Sequence, residues 1–236
     1  MIPNLKFYSK QKYEKENLIN LEEIIKKITL DHIVKDNDLD FDFMKRKYKY
    51  SYCLQNHFDK LFTLISYLEF DKISNKTCLD IGTGYGYLPY MLSKYGHDAY
   101  GTDIRNSLPI YNDIHKLLKI ENKMFDLKIK PHKQSLLPKK YDLITSIMIV
   151  FNDHKQNEIW DSNKWDFLIK DLFTYLNKKG KIVLIPNNES KEEFDINDVN
   201  KFFGNDKVAN FLISISDEVV ISEVFKAPML IINNKL

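Results

Sequence analysis

The rhythm of hydrophobic and polar positions changes twice along the chain. Leu18, Leu21, Ile24, Ile25 and Ile28 recur at helical spacing, and so do Phe58, Leu61, Phe62, Ile65 and Leu68. Asn56 stands where the second of these helices needs a cap. Residues 1–16 are polar and lysine-rich and read as a loose arm, so the first 70 residues are expected to be helical, without a clear strand. From Thr77 onward short apolar runs alternate with helical stretches. Strands are expected at 77–81, 98–103, 125–130, 141–147 and 181–186, and helices at 86–95, 107–119, 163–177 and 195–203. Ser107, Leu108 and Pro109 signal a helix start, and the lysines before Gly180 signal a helix stop. The tail from Lys207 to Asn234 is rich in β-branched residues with little helical period. It is expected to supply two or three strands, at least one pair antiparallel.

Alternating β and α units of these lengths imply a parallel sheet with helices on both faces, joined by right-handed crossovers. The chain divides into a helical extension over 1–70, placed to act as a lid, and an α/β domain over 71–236. At 236 residues it is long enough to bury a full core. A net charge of +2 gives no strong field for nucleic acid or anionic lipid. Cys53 and Cys78 form no CxxC pair, the N-terminus lacks the apolar stretch of a signal peptide, and no apolar run is long enough to span a bilayer. These features predict a cytoplasmic protein with no membrane partner; oligomeric state is not legible.

The most informative stretch is CLDIGTGYGYLPYML, residues 78–92. A buried strand runs into Gly82, Gly84 and Gly86 and then into a helix. Glycines permit a tight turn and close backbone approach, and the helix that follows aims its N-terminal amides at a ligand. A dinucleotide loop reads GxGxxG. Here the third glycine comes one residue early, Tyr87 follows it, and Asp80 precedes the first. The next strand ends in Asp103, whose carboxylate can accept hydrogen bonds from two ribose hydroxyls, with Ile104 beside it to pack on a base.

With those residues in view, LDIGTGYGYLPYMLSKYGHDAYGTDI resembles the cofactor-binding half of class I S-adenosylmethionine-dependent methyltransferases. YDLITSIMI, the next helix and GKIVLIPN are similar to their fourth and fifth strands. The resemblance implies a Rossmann-like, doubly wound, mostly parallel seven-stranded sheet with an antiparallel last strand. It implies S-adenosyl-L-methionine as cofactor, held by Asp80, Gly82, Thr83, Gly84, Gly86, Tyr87, Asp103 and Ile104. Many such proteins carry an acid after the third strand to bind adenine. None stands between Lys128 and Tyr141 here, so Gln134 or Ser135 is expected to serve instead.

Methyl transfer is an in-line displacement in which the protein supplies alignment, and a hydroxyl acceptor also needs a base. The acceptor is expected beyond the strand that ends near residue 147. The polar group after it offers His154 as base, Asp153 to orient it, and Asn152 to bind the acceptor. Arg46 and Tyr50 form a second acceptor-facing group, while Trp160 and Trp165 read as core. FNDH, at 151–154, stands where modifiers of base amino groups carry an NPPY-like tetrapeptide. With the near-neutral charge, this argues against a nucleic-acid acceptor and for a small molecule or carbohydrate. The other histidines show no ligand spacing, so no metal is expected. Two alternatives share the loop: a non-catalytic methyltransferase-like protein, and an NAD-dependent oxidoreductase.

Overall fold

The computed structural model describes residues 4–5, 15–36, 48, 51, 54–104, 109–127, 139–149, 160–187, 202–203 and 205–234. Among them eight strands form one sheet. They are β1 (Asn4–Leu5), β2 (Thr77–Ile81), β3 (Asp98–Asp103), β4 (Met124–Asp126), β5 (Tyr141–Ile147), β6 (Leu176–Ile185), β7 (Glu218–Ser222) and β8 (Ala227–Asn233). Their spatial order is β1-β7-β8-β6-β5-β2-β3-β4. β8 runs antiparallel to β6 and β7, and every other pair is parallel. Strands β2 to β8 are thus the seven-stranded, mostly parallel sheet with an antiparallel last strand. The strand order reverses at β2, between β3 and β5, which opens a crevice at the carboxyl ends of these strands.

The sheet's two faces bury two separate cores. Cys78, Leu143, Val183 and Ile185 point to one face, where α1 (Lys15–Asp36), α2 (Leu54–Tyr67), α3 (Tyr87–Lys94) and α4 (Ile110–Leu118) bring Ile25, Phe58, Met91 and Ile114. Leu79, Ile81, Ile144 and Ile182 point to the other, covered by Trp165 and Leu168 of α5 (Ser162–Phe173) and Val208 and Leu212 of α6 (Asp206–Ile215). The period-two alternation of side chains along each strand produces this split. α1 is tied to α4 by His32, whose Nε2 lies 2.8 Å from Asp113 Oδ2. The N-terminal helices therefore share one core with the sheet. Trp160 and Trp165 are buried and meet edge to face, 5.5 Å between centroids.

Several local expectations need correction. The first 70 residues are not strandless: Asn4 and Leu5 pair with Ile221 and Ser222, because the outer edge of β7 offers unpaired backbone groups. α2 begins at Leu54, so Asn56 lies inside its first turn instead of capping it. α5 stops at Phe173, and Gly180 belongs to β6, which starts at Leu176 rather than 181. A Cβ at Gly180 would lie 2.8 Å from the Tyr141 carbonyl oxygen, so the glycine serves backbone approach across a register shift, not a helix stop. The tail supplies two strands but also α6. There Asn205 caps the helix by accepting from the amides of Lys207 and Val208, and Val208, Ala209 and Leu212 form a buried stripe that outweighs β propensity. β4 spans only 124–126 of the expected 125–130, whose residues 128–130 lie outside the described residues, as do Ser107 and most of 195–203. Among the described residues no helix is long and apolar enough to cross a membrane.

Candidate functional site

The loop after β2 is held by its own backbone. The amide of Thr83 donates to the Thr102 carbonyl at 2.9 Å, and that of Gly86 donates to Thr83 at 3.0 Å. Gly82, Gly84 and Gly86 have φ of 69°, 55° and 75°, a left-handed path that side chains disfavour. Their surroundings separate their roles. A Cβ on Gly82 would sit 2.2 Å from Ile149 Cγ2, and one on Gly86 would sit 2.5 Å from Ile120 Cδ1. These two glycines make room for the protein itself. At Gly84 the nearest atoms are those of the Tyr111 phenol, at 3.8 and 3.9 Å. Gly84 alone of the three would take a Cβ without a clash, in ordinary van der Waals contact with Tyr111.

Asp103, at the end of β3, turns into the loop. One carboxylate oxygen accepts from the Gly84 amide at 2.6 Å and the other from the Ile104 amide at 2.7 Å. Both carboxylate oxygens thus face the loop, at the carboxyl end of β3. Ile104 is 45% exposed beside it, leaving its side chain open to a ligand's flat face. Gly86 caps α3 without any side-chain hydrogen bond; Pro89 has no amide proton and Tyr90 donates to the Gly86 carbonyl, so Tyr87 and Leu88 carry the first-turn amides that a ligand can use.

Asp80 lies beneath the loop and is buried. Its Oδ1 accepts from Thr145 Oγ1 of β5 at 2.7 Å. Burial pushes the carboxyl up to about 7, against the downward pull of the Thr145 and Thr83 hydroxyls; the charge on Asp103 adds to the upward push. Thr83 Oγ1 is near enough to act on Asp80 but has no partner in hydrogen-bonding geometry. At the end of β5, Met148 takes a left-handed φ of 55° while its amide donates to Ile185 at 2.6 Å. For a residue with a side chain this is strain, at the strand end where Ile149 then packs under Gly82.

One residue without a sequence signal completes the loop's support. His115 of α4 is buried, and its Nε2–H donates to the Gly84 carbonyl at 2.8 Å, which fixes the tautomer. Burial lowers its pKa, with the Gly84 carbonyl pulling the other way. His115 and Asp103 thus grip the two peptide groups of Gly84 from α4 and β3. The ring of Tyr87 packs in the core, 5.4 Å from Phe58 and 5.5 Å from Tyr85, as the first turn of α3 turns it inward. Only its backbone remains at the loop. Arg46, Tyr50, Gln134, Ser135, Asn152, Asp153 and His154 lie outside the described residues.

A glycine loop, a strand-end carboxylate and a helix start without a side-chain cap fit a nucleoside-bearing cofactor with an amino-acid tail. Residues 54–199 match the methyltransferase domain family, which is more than half of the chain. Among solved structures, a candidate S-adenosyl-L-methionine-dependent methyltransferase of Methanococcus maripaludis matches at 17% identity and TM-score 0.50, over 97% of both chains. The mitomycin 7-O-methyltransferase MmcR matches at 12% identity and TM-score 0.52, over 82% of this chain and 58% of its own. TrmN of Thermus thermophilus matches at 14% identity and TM-score 0.50, over 75% of this chain and 48% of its own. At these identities the likeness is one of fold. No curated protein matches. By its matched domain, its sheet order and its glycine loop, the chain belongs to the methyltransferase domain family and is an S-adenosyl-L-methionine-dependent enzyme.

Proposed function

We propose that the protein methylates a small-molecule or carbohydrate acceptor, with the cofactor seated over Gly84. The observation that carries the placement is the 2.6 Å bond from the Gly84 amide to Asp103, made at the one loop glycine whose Cβ position meets no clash. Asp103 holds the ribose hydroxyls, Ile104 covers the base, and the amides of Tyr87 and Leu88 in the first turn of α3 meet the tail. Gly82, Thr83 and Gly86 shape the loop from below, and Asp80 forms its floor. Gln134 and Ser135 serve adenine in place of the absent acid. The bound cofactor supplies an activated methyl group on sulfur; the chain aligns the acceptor and manages its proton.

On the acceptor side, His154 takes the acceptor's proton, Asp153 orients its ring, and Asn152, Tyr50 and Arg46 grip the acceptor. Residues 1–70 act as an extension over a catalytic domain at 71–236. The absence of a strongly basic balance supports a small acceptor over RNA or DNA, and the lack of a paired-cysteine pattern supports a cytoplasmic setting. The test is transfer of isotopically labelled methyl from the cofactor to fractionated cell extract. Label is expected in the low-molecular-weight fraction and absent from RNA, DNA and protein; label confined to a macromolecule overturns the acceptor reading.

A further inference from the structure

A chain of hydroxyls links the glycine loop to α1. Tyr85 is the sole residue with a side chain between Gly84 and Gly86, and it is buried. Its phenol lies 2.9 Å from Ser51 Oγ. Ser51 Oγ lies 2.7 Å from Thr29 Oγ1 of α1, and Thr29 Oγ1 lies 2.8 Å from the carbonyl oxygen of Ile25, one turn back in the same helix. Thr29 and Ser51 are fully buried. Each hydroxyl has one proton, and the carbonyl has none to give. Thr29 therefore donates to Ile25, Ser51 to Thr29 and Tyr85 to Ser51, so a one-way chain ends on a helix carbonyl. Ser51 is itself held by its amide, which donates to Tyr48 at 2.9 Å.

We infer that the relay Tyr85–Ser51–Thr29 makes the N-terminal helix part of the cofactor site, with Ser51 and Thr29 as positioning residues that act through Tyr85. Gly84 and Gly86 both sit at positive φ, and a glycine leaves its peptides free to turn. Fixing the one side chain between them restrains both. The rings of Tyr87 and Tyr111 pack edge-on against Tyr85 at 5.5 and 5.3 Å, which holds the ring's plane; the relay holds its far end. A loop set before the ligand arrives does not spend binding energy on being ordered.

The test is calorimetric titration of the full chain with S-adenosyl-L-homocysteine, alongside thermal unfolding. Tyr85→Phe and Thr29→Val each remove one link with little change of shape. Each is expected to raise Kd about fivefold, the worth of one net hydrogen bond. The double variant is expected to match either single variant, because one broken link already disconnects the loop. Thr29→Ser keeps the hydroxyl and is expected to restore native affinity. In turnover the loss should fall on KM for the cofactor, with kcat within twofold. Native Kd in Thr29→Val, or a double effect equal to the product of the single ones, overturns the inference, whatever happens to the unfolding temperature. The inference rests on the cofactor's placement at Gly84. Asp103→Ala separates the two: native affinity in that variant removes the placement, whereas a weakened Asp103→Ala beside a native Thr29→Val removes the relay's role alone.

Discussion

The floor of the glycine loop and its rim are built from the same few residues to opposite ends. On the floor, Gly82 gives way to Ile149, and Asp80 is shut from water against Thr145. On the rim, Gly84 meets no clash at its Cβ position, and Asp103 holds the loop's amide at the end of β3. Two glycines with nearly the same backbone angles, and two aspartates at the ends of neighbouring strands, are thus divided between packing and binding. Neither residue type nor φ tells them apart; the neighbouring atoms do.

The sharpest way to break this division is to add one methyl group to each glycine. Gly82→Ala combines a disfavoured φ with a clash on Ile149 and is expected to cost about 3 kcal/mol of folding stability, read from urea unfolding. Gly84→Ala carries the backbone strain alone, about 1 kcal/mol, yet should weaken S-adenosyl-L-homocysteine binding more than tenfold by putting a methyl group on the ligand side of the loop. If Gly84→Ala binds normally, the rim is not the ligand side. Next in size is Asp103→Ala, expected to weaken cofactor binding by ~1–3 kcal/mol through lost ribose hydrogen bonds and a loosened Gly84 amide.

Asp80 sharpens the contrast through pH. Its carboxyl titrates near 7 in the fold and near its ordinary 3.8 in the unfolded chain. Raised in the native state, it leaves the fold unpenalised below pH 3.8; the penalty then grows as pH rises and levels off above about 7. The stability of Asp80→Asn relative to the native chain should therefore rise across that window, as measured by unfolding at a series of pH values. A difference that stays flat would show that the floor is wet. The smallest effect belongs to His115. His115→Leu removes the donor to Gly84 and should raise KM for the cofactor about fivefold, while His115→Gln, which keeps an N–H at a similar reach, should recover most of it. Because Nε2–H is present in both charge states of the ring, this bond adds no pH dependence of its own.

What the sequence disclosed depended on how local the cause was. β2, β3 and β5 have the bounds expected from short, largely buried runs set between helical stretches. The glycine spacing and Asp103 were legible because loop geometry imposes residue type within a few positions. α6 was not: its β-branched residues favour a strand, and the Asn205 cap with the buried Val208–Leu212 stripe decides otherwise. His115 and Ser51 had no local mark. They act on residues 31 and 34 positions away, and contact at that range leaves no periodicity to read. For Tyr87 the loop motif gives the position but not the side to which the helix turns its ring.

The two-residue strand β1 bears on how this protein behaves at high concentration. β7 is the last full strand on its side of the sheet, and a bare strand of that kind is a template for joining sheets from separate molecules. Asn4 and Leu5 occupy the stretch facing Ile221 and Ser222. A tag or truncation that peels them off would uncover that template, so self-association would trace to the first five residues and not to the catalytic half.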